Sequence, residues 1–326
     1  MHGRGARGAA PASDAAMRER RRCPRVGAAL DRIRHVLASS FSPTRATAVG
    51  TRADSPGTEL KRLGLGPMAA ANTGQIDHAQ PGPIDESVLT QQPNHRSEVI
   101  WNGQDPGSLT CRSRNEEFSN REPMVDDRVV DIIKALGLEG LPRNSGREID
   151  HGLITALVER WRLETHTFHM PHGEVTITLQ DVEVLLGLPV DGEPITGSMQ
   201  KEWVNVCRNF LGFQPVNNER KQLDGQRILI KRLLEQVVDT LPPNVEEDQV
   251  HKYARCYILA LLGDTIFVEK SGNRVHLMWV QQLEDLRNPR RYSWGSACLA
   301  WLYRELCRAS DKKASQIGGC LLLVQY

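Results

Sequence analysis

Apolar side chains recur at helical spacing in five separate stretches of this chain, and switch to alternate spacing in only one. Val129, Ile132, Ile133 and Leu136 stand at i, i+3, i+4, i+7 and predict a helix over about 126–138, ended by Gly137 and Gly140. Ile149, Leu153, Ala156 and Leu157 predict a second over about 149–161. Ile230, Leu233, Leu234, Val237, Val238 and Leu241 predict a third over about 226–241, stopped by Pro242-Pro243. Val250, Tyr253, Ala254, Tyr257, Ile258, Leu261 and Leu262 carry one over about 249–262. Trp294, Ala297, Cys298, Trp301, Leu302 and Leu306 carry another over about 293–309, with Ser293 as its N-cap. Weaker patterns suggest helices near 200–211 and 275–286.

The exception is a hairpin after Trp161. Phe168 and Met170 alternate with Thr167 and His169. Beyond a turn at Pro171-His172-Gly173, Val175, Ile177 and Leu179 alternate with Thr176 and Thr178. One face is apolar and the other hydroxyl-bearing, as a half-buried hairpin needs. Thr178 and Asp181 have capping-box spacing and open a short helix through Leu186. With no βαβ alternation and no internal repeat, the expected body is mainly α, a multi-helix domain with one small β-hairpin.

A disordered N-terminal arm is expected before it. Residues 51–97 are dominated by Gly, Pro, Ser, Gln and Asn and bury too little surface to offset chain entropy. The division is therefore 1–97 arm and 98–326 domain. The arm is basic: residues 1–115 hold 16 Lys+Arg against 10 Asp+Glu, or +6, and 116–326 hold 25 against 30, or −5. So acidic a body lacks the overall charge that binds a nucleic-acid backbone. The Arg/Ala-rich first 50 residues fit a disordered tail, an organelle transit peptide for plastid or mitochondrion, or a nuclear-targeting cluster at Arg18-Glu19-Arg20-Arg21-Arg22. No apolar run approaches the ~20 residues of a membrane span. Seven scattered cysteines without a CxxC pair read as reduced buried thiols.

Candidates for chemistry are few. His166, His169 and His172 crowd into seven residues, yet strand geometry sends residues three apart to opposite faces. His166 is expected on the face of Phe168 and Met170, His169 beside the threonines, and His172 in the turn, so no metal is expected. Gly263-Asp264-Thr265 and Gly272-Asn273-Arg274 superficially resemble metallophosphatase elements. They lack the His and Asp ligands of a two-metal site and read as a helix end and a loop turn. No GxxxxGK[ST] occurs. Trp294, Trp301, Tyr253 and Tyr257 are expected in the core, because a base-stacking platform needs basic residues on the same face and those faces read as aliphatic.

A family resemblance rests on Glu98–Gly103, Ile149–His151, Ala156–Trp161, Glu164–His169, Gly173–Val182, Leu186–Gly192, Tyr253–Leu259, Ser271–Leu277 and Tyr292–Ala297. These segments, in this order, resemble the aminotransferase-like plant mobile domain of MAIN-like proteins and of long-form homologs of serine/threonine-protein phosphatase 7. The resemblance covers about 98–326. Trp161, His166, Phe168, His169, Gly173, Asp181 and Trp294 mark its structural motif. It implies a plant nuclear protein tied to meristem maintenance, genome stability and transposon silencing, acting as a non-catalytic interaction module. Protein partners are expected, including a phosphatase-like nuclear protein, with no cofactor. The other class is a mobile-element-derived nucleic-acid-processing enzyme; a non-functional truncated fragment is the third. The resemblance supplies no catalytic residues, and neither Lys252 nor Lys270 has a pyridoxal-lysine context. Relatives continue past Tyr326, so the apolar run Ile317–Val324 is expected to lie uncovered.

Overall fold

A computed structural model describes residues 86–112, 126–144, 148–171, 173–216, 221–237 and 241–326. The readings made for residues 1–85 and for His172 lie outside them. Structure is described from Glu86, eleven residues inside the arm that composition marked off. Short 3-10 turns at Glu86–Val88 and Gln92–Asn94 lead into α1, Arg96–Trp101. His95 and Arg96 in that stretch are buried and bond to Trp161, Ser310 and Ala314.

The remaining helices are α2 Asp127–Ala135, α3 Leu141–Asn144, α4 His151–Val158, α5 Leu179–Leu186, α6 Trp203–Val206, α7 Ile230–Leu234, α8 Glu247–Thr265, α9 Trp294–Ala309 and α10 Leu322–Gln325. The fold is mainly helical, as the periodicities predict. Helix α8 is its axis. From Tyr253 to Thr265 every residue is buried; the helix is enclosed on all sides rather than amphipathic. Helices α2, α3 and α7 pack on it, with the π-helical turn Cys207–Leu211 and the 3-10 helix Leu277–Leu283. Arg255 crosses this core, and its guanidinium donates to the carbonyls of Leu283 at 2.7 Å and Glu284 at 2.8 Å.

Helix α8 runs through Gly263 and Asp264, which the sequence assigns to its end. A side chain at Gly263 would meet Val275 Cβ at 2.6 Å, so the glycine lets a strand approach. That strand, Arg274–His276, belongs to a second hairpin sheet. Leu223–Asp224 (β5) pairs with Arg227–Leu229 (β6), which pairs with Arg274–His276 (β7), all antiparallel. The helix expected over 226–241 therefore begins only at Ile230, because Gly225 turns the chain at positive φ and Ile228 pairs with Val275. The helix expected over 275–286 is replaced by β7 and the 3-10 segment after it.

The predicted hairpin forms with one strand more. Trp161–Arg162 (β2) pairs with Thr167–Met170 (β3), which pairs with Gly173–Val175 (β4). Trp161 is thus strand, and α4 ends at Val158. Phe168, Met170 and Ile177 are buried as expected, but Val175 at the end of β4 and Leu179 at the start of α5 are exposed. The Thr178–Asp181 capping box is present, and Gly187 closes α5 at φ 66°.

Ile317–Val324 departs furthest from expectation. Gln316–Ile317 (β8) pairs in parallel with Thr110–Cys111 (β1), and α10 packs on α4 and α5. Ile317 and Cys320–Val324 are buried, and the segment expected to lie uncovered is part of the core. The strand that covers it lies some 200 residues earlier, where composition predicts only the start of order.

Candidate functional site

The motif residues fall into separate features. Trp161, His166 and Phe168 come together with Tyr303 of α9. The Trp161 ring meets Phe168 at 4.9 Å and Tyr303 at 5.1 Å, both edge-on. Trp161 Nε1 donates to Cys307 Sγ at 3.3 Å. His166 is not on the strand face where alternation places it. It sits in the β2–β3 turn at φ 54°, stacked on Tyr303 at 5.6 Å. His169 pairs with Glu174 across the strands, and Gly173 takes the turn at φ 134°. Asp181 closes the capping box, and Trp294 is buried at the start of α9 beside Tyr292. The Ser293 hydroxyl donates to the Val190 carbonyl at 2.8 Å rather than capping α9. Among the described residues no three His, Cys, Asp or Glu side chains gather to hold a metal ion. No described helix is long and apolar enough to cross a membrane.

The chemistry concentrates elsewhere. A cleft of about 650 Å³ lies between α9 and the β5–β7 sheet; of the residues singled out in the sequence, Lys270, Ser271, His276 and Trp301 line it. Helix α9 contributes Trp301, Arg304, Glu305 and Arg308, which share one helical face at i, i+3, i+4, i+7. The sheet side contributes Asp224, Arg227, Glu269, Lys270 and His276. Trp301 was expected on an aliphatic face. Its face instead carries two arginines, and the Arg304 guanidinium lies over the Trp301 ring at 5.0 Å.

Two carboxylates are sunk in this cleft. The Glu305 side chain is 2% exposed; its Oε1 accepts from Arg308 Nη1 at 3.1 Å. Its Oε2 is buried with no hydrogen-bond partner among the described residues. The Glu269 side chain is 11% exposed and lies 3.5 Å from Arg227 Nη1. Burial raises the Glu269 pKa and the Glu305 charge adds to the rise, while Arg227 opposes it. Arg227 is shared with Asp224 at 3.1 Å. His276 Nδ1 accepts the backbone N–H of Met278 at 3.1 Å. Burial, then Arg227 and Arg304, push the His276 pKa down to about 4. At neutral pH the ring is therefore uncharged and carries its hydrogen on Nε2.

The cysteines are spectators in this chemistry. Cys111, Cys207, Cys256, Cys298 and Cys320 are buried and unbridged, and burial pushes the thiols of Cys207 and Cys256 up to about 12.

A family model, Plant mobile domain, matches residues 137–326. Among curated relatives, a serine/threonine-protein phosphatase 7 long form homolog of Arabidopsis thaliana is 42% identical over 75% of this chain and 18% of its own length. Protein MAIN-LIKE 2 of the same plant is 37% identical over 76% of this chain and 36% of its own. Protein MAINTENANCE OF MERISTEMS is 35% identical over 73% and 49%. The chain thus spans less than half the length of these relatives. No solved structure matches.

Proposed function

The chain belongs to the plant mobile domain family, and from that premise we propose that it is a non-catalytic interaction module of the nucleus. Its relatives include a meristem-maintenance protein and its MAIN-like kin. We extend to it a role in meristem maintenance, genome stability and transposon silencing. The observation that carries the reading is the outer face of the hairpin–α5 unit. Val184 is 74% exposed, and Val175, Leu179 and Leu185 are exposed within the same eleven residues. Exposed apolar side chains gathered in one stretch favour association, and Leu179, Val184 and Leu185 stand on a helix fixed by its capping box. The partner we propose for this face is a phosphatase-like nuclear protein. Nuclear entry would use the Arg18–Arg22 cluster.

The test is affinity purification from plant nuclei with the whole 326-residue chain and with a Val184→Glu, Leu185→Glu double variant. Both positions are exposed, so the variant should keep the fold. A defined set of nuclear proteins should copurify with the parent and be lost from the variant. Identical sets, or a chain that stays outside the nucleus, would sink the proposal.

A further inference from the structure

The charged cleft has a division of labour that points to a ligand. Its buried groups are acceptors: the carboxylates of Glu269 and Glu305. Its open groups are mostly cations, with Asp224, 46% exposed, paired to Arg227. The side chains of Arg227 and Arg308 are 44% and 51% exposed, and Arg304 is exposed. Lys270 and Arg304 form no ion pair with a carboxylate among the described residues.

The carboxylates are under-supplied with donors. An ionised carboxylate offers about four lone-pair sites. Glu305 uses one oxygen on Arg308 and leaves the other without a partner among the described residues. Glu269 has a long ion pair to an arginine that also serves Asp224. Glu305 Oε2 lacks a donor among the described residues, and Glu269 shares its one arginine with Asp224, so each can accept further N–H groups. A cationic ligand that supplied them would have to lodge among Arg227, Lys270, Arg304 and Arg308. A simple anion would suit those cations but meet two buried carboxylates. The ligand that satisfies both ends has neutral N–H donors at one end and negative charge at the other.

We infer that this cleft binds a guanine mononucleotide, with the N1–H and N2–H₂ edge of the base on Glu269 and the phosphate on Lys270 and Arg304. Guanine is singled out because its two donors are adjacent and match an acceptor-only carboxylate. Adenine would set its N1 acceptor against the same oxygens. Neutral His276 adds an Nε2–H donor to the wall. The volume, about 650 Å³, lies within the range of ligand clefts, roughly 300–1,000 Å³. Charged side chains replace the backbone cradle of a GxxxxGK[ST] loop, which the sequence lacks. A polynucleotide is disfavoured, because residues 116–326 carry 30 acids against 25 bases and would repel a longer phosphate chain.

The test is calorimetric titration of the 326-residue protein with GMP, AMP, guanosine and inorganic phosphate. GMP should bind saturably, and AMP about tenfold or more weaker. Glu269→Gln, which puts an NH₂ against the base edge, should weaken GMP by about tenfold or more. Lys270→Ala with Arg304→Ala should bring GMP down to the level of guanosine. Thermal melting of each variant, unchanged from the parent, separates lost binding from lost fold. No saturable heat with GMP up to about 1 mM from folded protein would overturn the inference. So would equal affinity for GMP and AMP, phosphate binding as tight as GMP, or indifference to Glu269→Gln.

Discussion

Arg96 is a fully buried cation, and its removal should show how much of the fold hangs on one residue. It opens α1 with its backbone N–H donating to Ser310 O at 2.8 Å. Its guanidinium donates to Ala314 O at 2.8 Å and to Gly107 O, and lies 3.8 Å from Glu159 Oε1. One side chain thus joins α1, the loop before β1, the end of α4 and the segment before β8. Arg96→Met keeps much of the apolar stem and removes the charge and the donors. Two carbonyls lose partners, and Glu159 loses its counter-charge. Breaking a buried pair costs about 3–5 kcal/mol. The Glu159 side chain is 22% exposed, so water screens part of this and about 3 kcal/mol is expected. The pH dependence is the sharper check. Burial raises the Glu159 pKa and Arg96 lowers it; without Arg96 it rises further. A carboxyl raised in the fold stabilises while protonated, and loses that contribution as pH climbs through the folded value. The penalty should therefore be larger at pH 7 than at pH 5 in urea unfolding, and Glu159→Gln should recover part of it. A loss below about 1 kcal/mol, or one equal at both pH values, would refute this account.

Two further outcomes follow from buried groups. His95 donates through Nε2 to Trp161 O at 2.7 Å, and Nδ1 accepts from Ser97 N, so the ring is held neutral; burial, then Arg162, push its pKa down to about 4. A lowered histidine stabilises fully above its unfolded value near 6.5, and the contribution is lost as pH falls toward 4. The loss should approach roughly 3 kcal/mol, and His95→Gln should flatten the stability–pH curve over that interval. Gly263→Ala should cost about 1–3 kcal/mol, since the new methyl would meet Val275 Cβ at 2.6 Å, and thermal unfolding reads it directly.

What was legible in the sequence was local. The capping box at Thr178 and Asp181 needs only three residues, and it formed. Helices α2, α8 and α9 repeat their apolar pattern over several turns, and each is present with its ends shifted by a few residues. The sheet of β5, β6 and β7 was not read, although Asp224-Gly225 is a known hairpin turn signal. Its strands are two or three residues long, and Leu229 pairs with Arg274, 45 positions on. Such strands exist only through that pairing, while Ile228, Ile230, Leu233 and Leu234 keep an apolar spacing that imitates helix. The covering of Ile317 by Cys111 is non-local in the same way.

The cleft escaped notice for a different reason. Net charge sums over a surface, whereas a site depends on which few charges share a face. Residues 116–326 are acidic as a whole, and that balance argues against binding a nucleic-acid backbone. Yet Arg304 and Arg308 stand three and seven positions after Trp301, a spacing that places all three on one side of α9. Glu305, one position from Arg304 and four from Trp301, shares that side and is buried by it. The apolar stripe of Cys298, Leu302 and Leu306 occupies the adjoining side and dominates the periodicity. Weighing α9 by its apolar positions alone therefore identified the side that builds the core. The polar positions of the same helix, taken at the same 3.6-residue period, identify the side that faces the cleft.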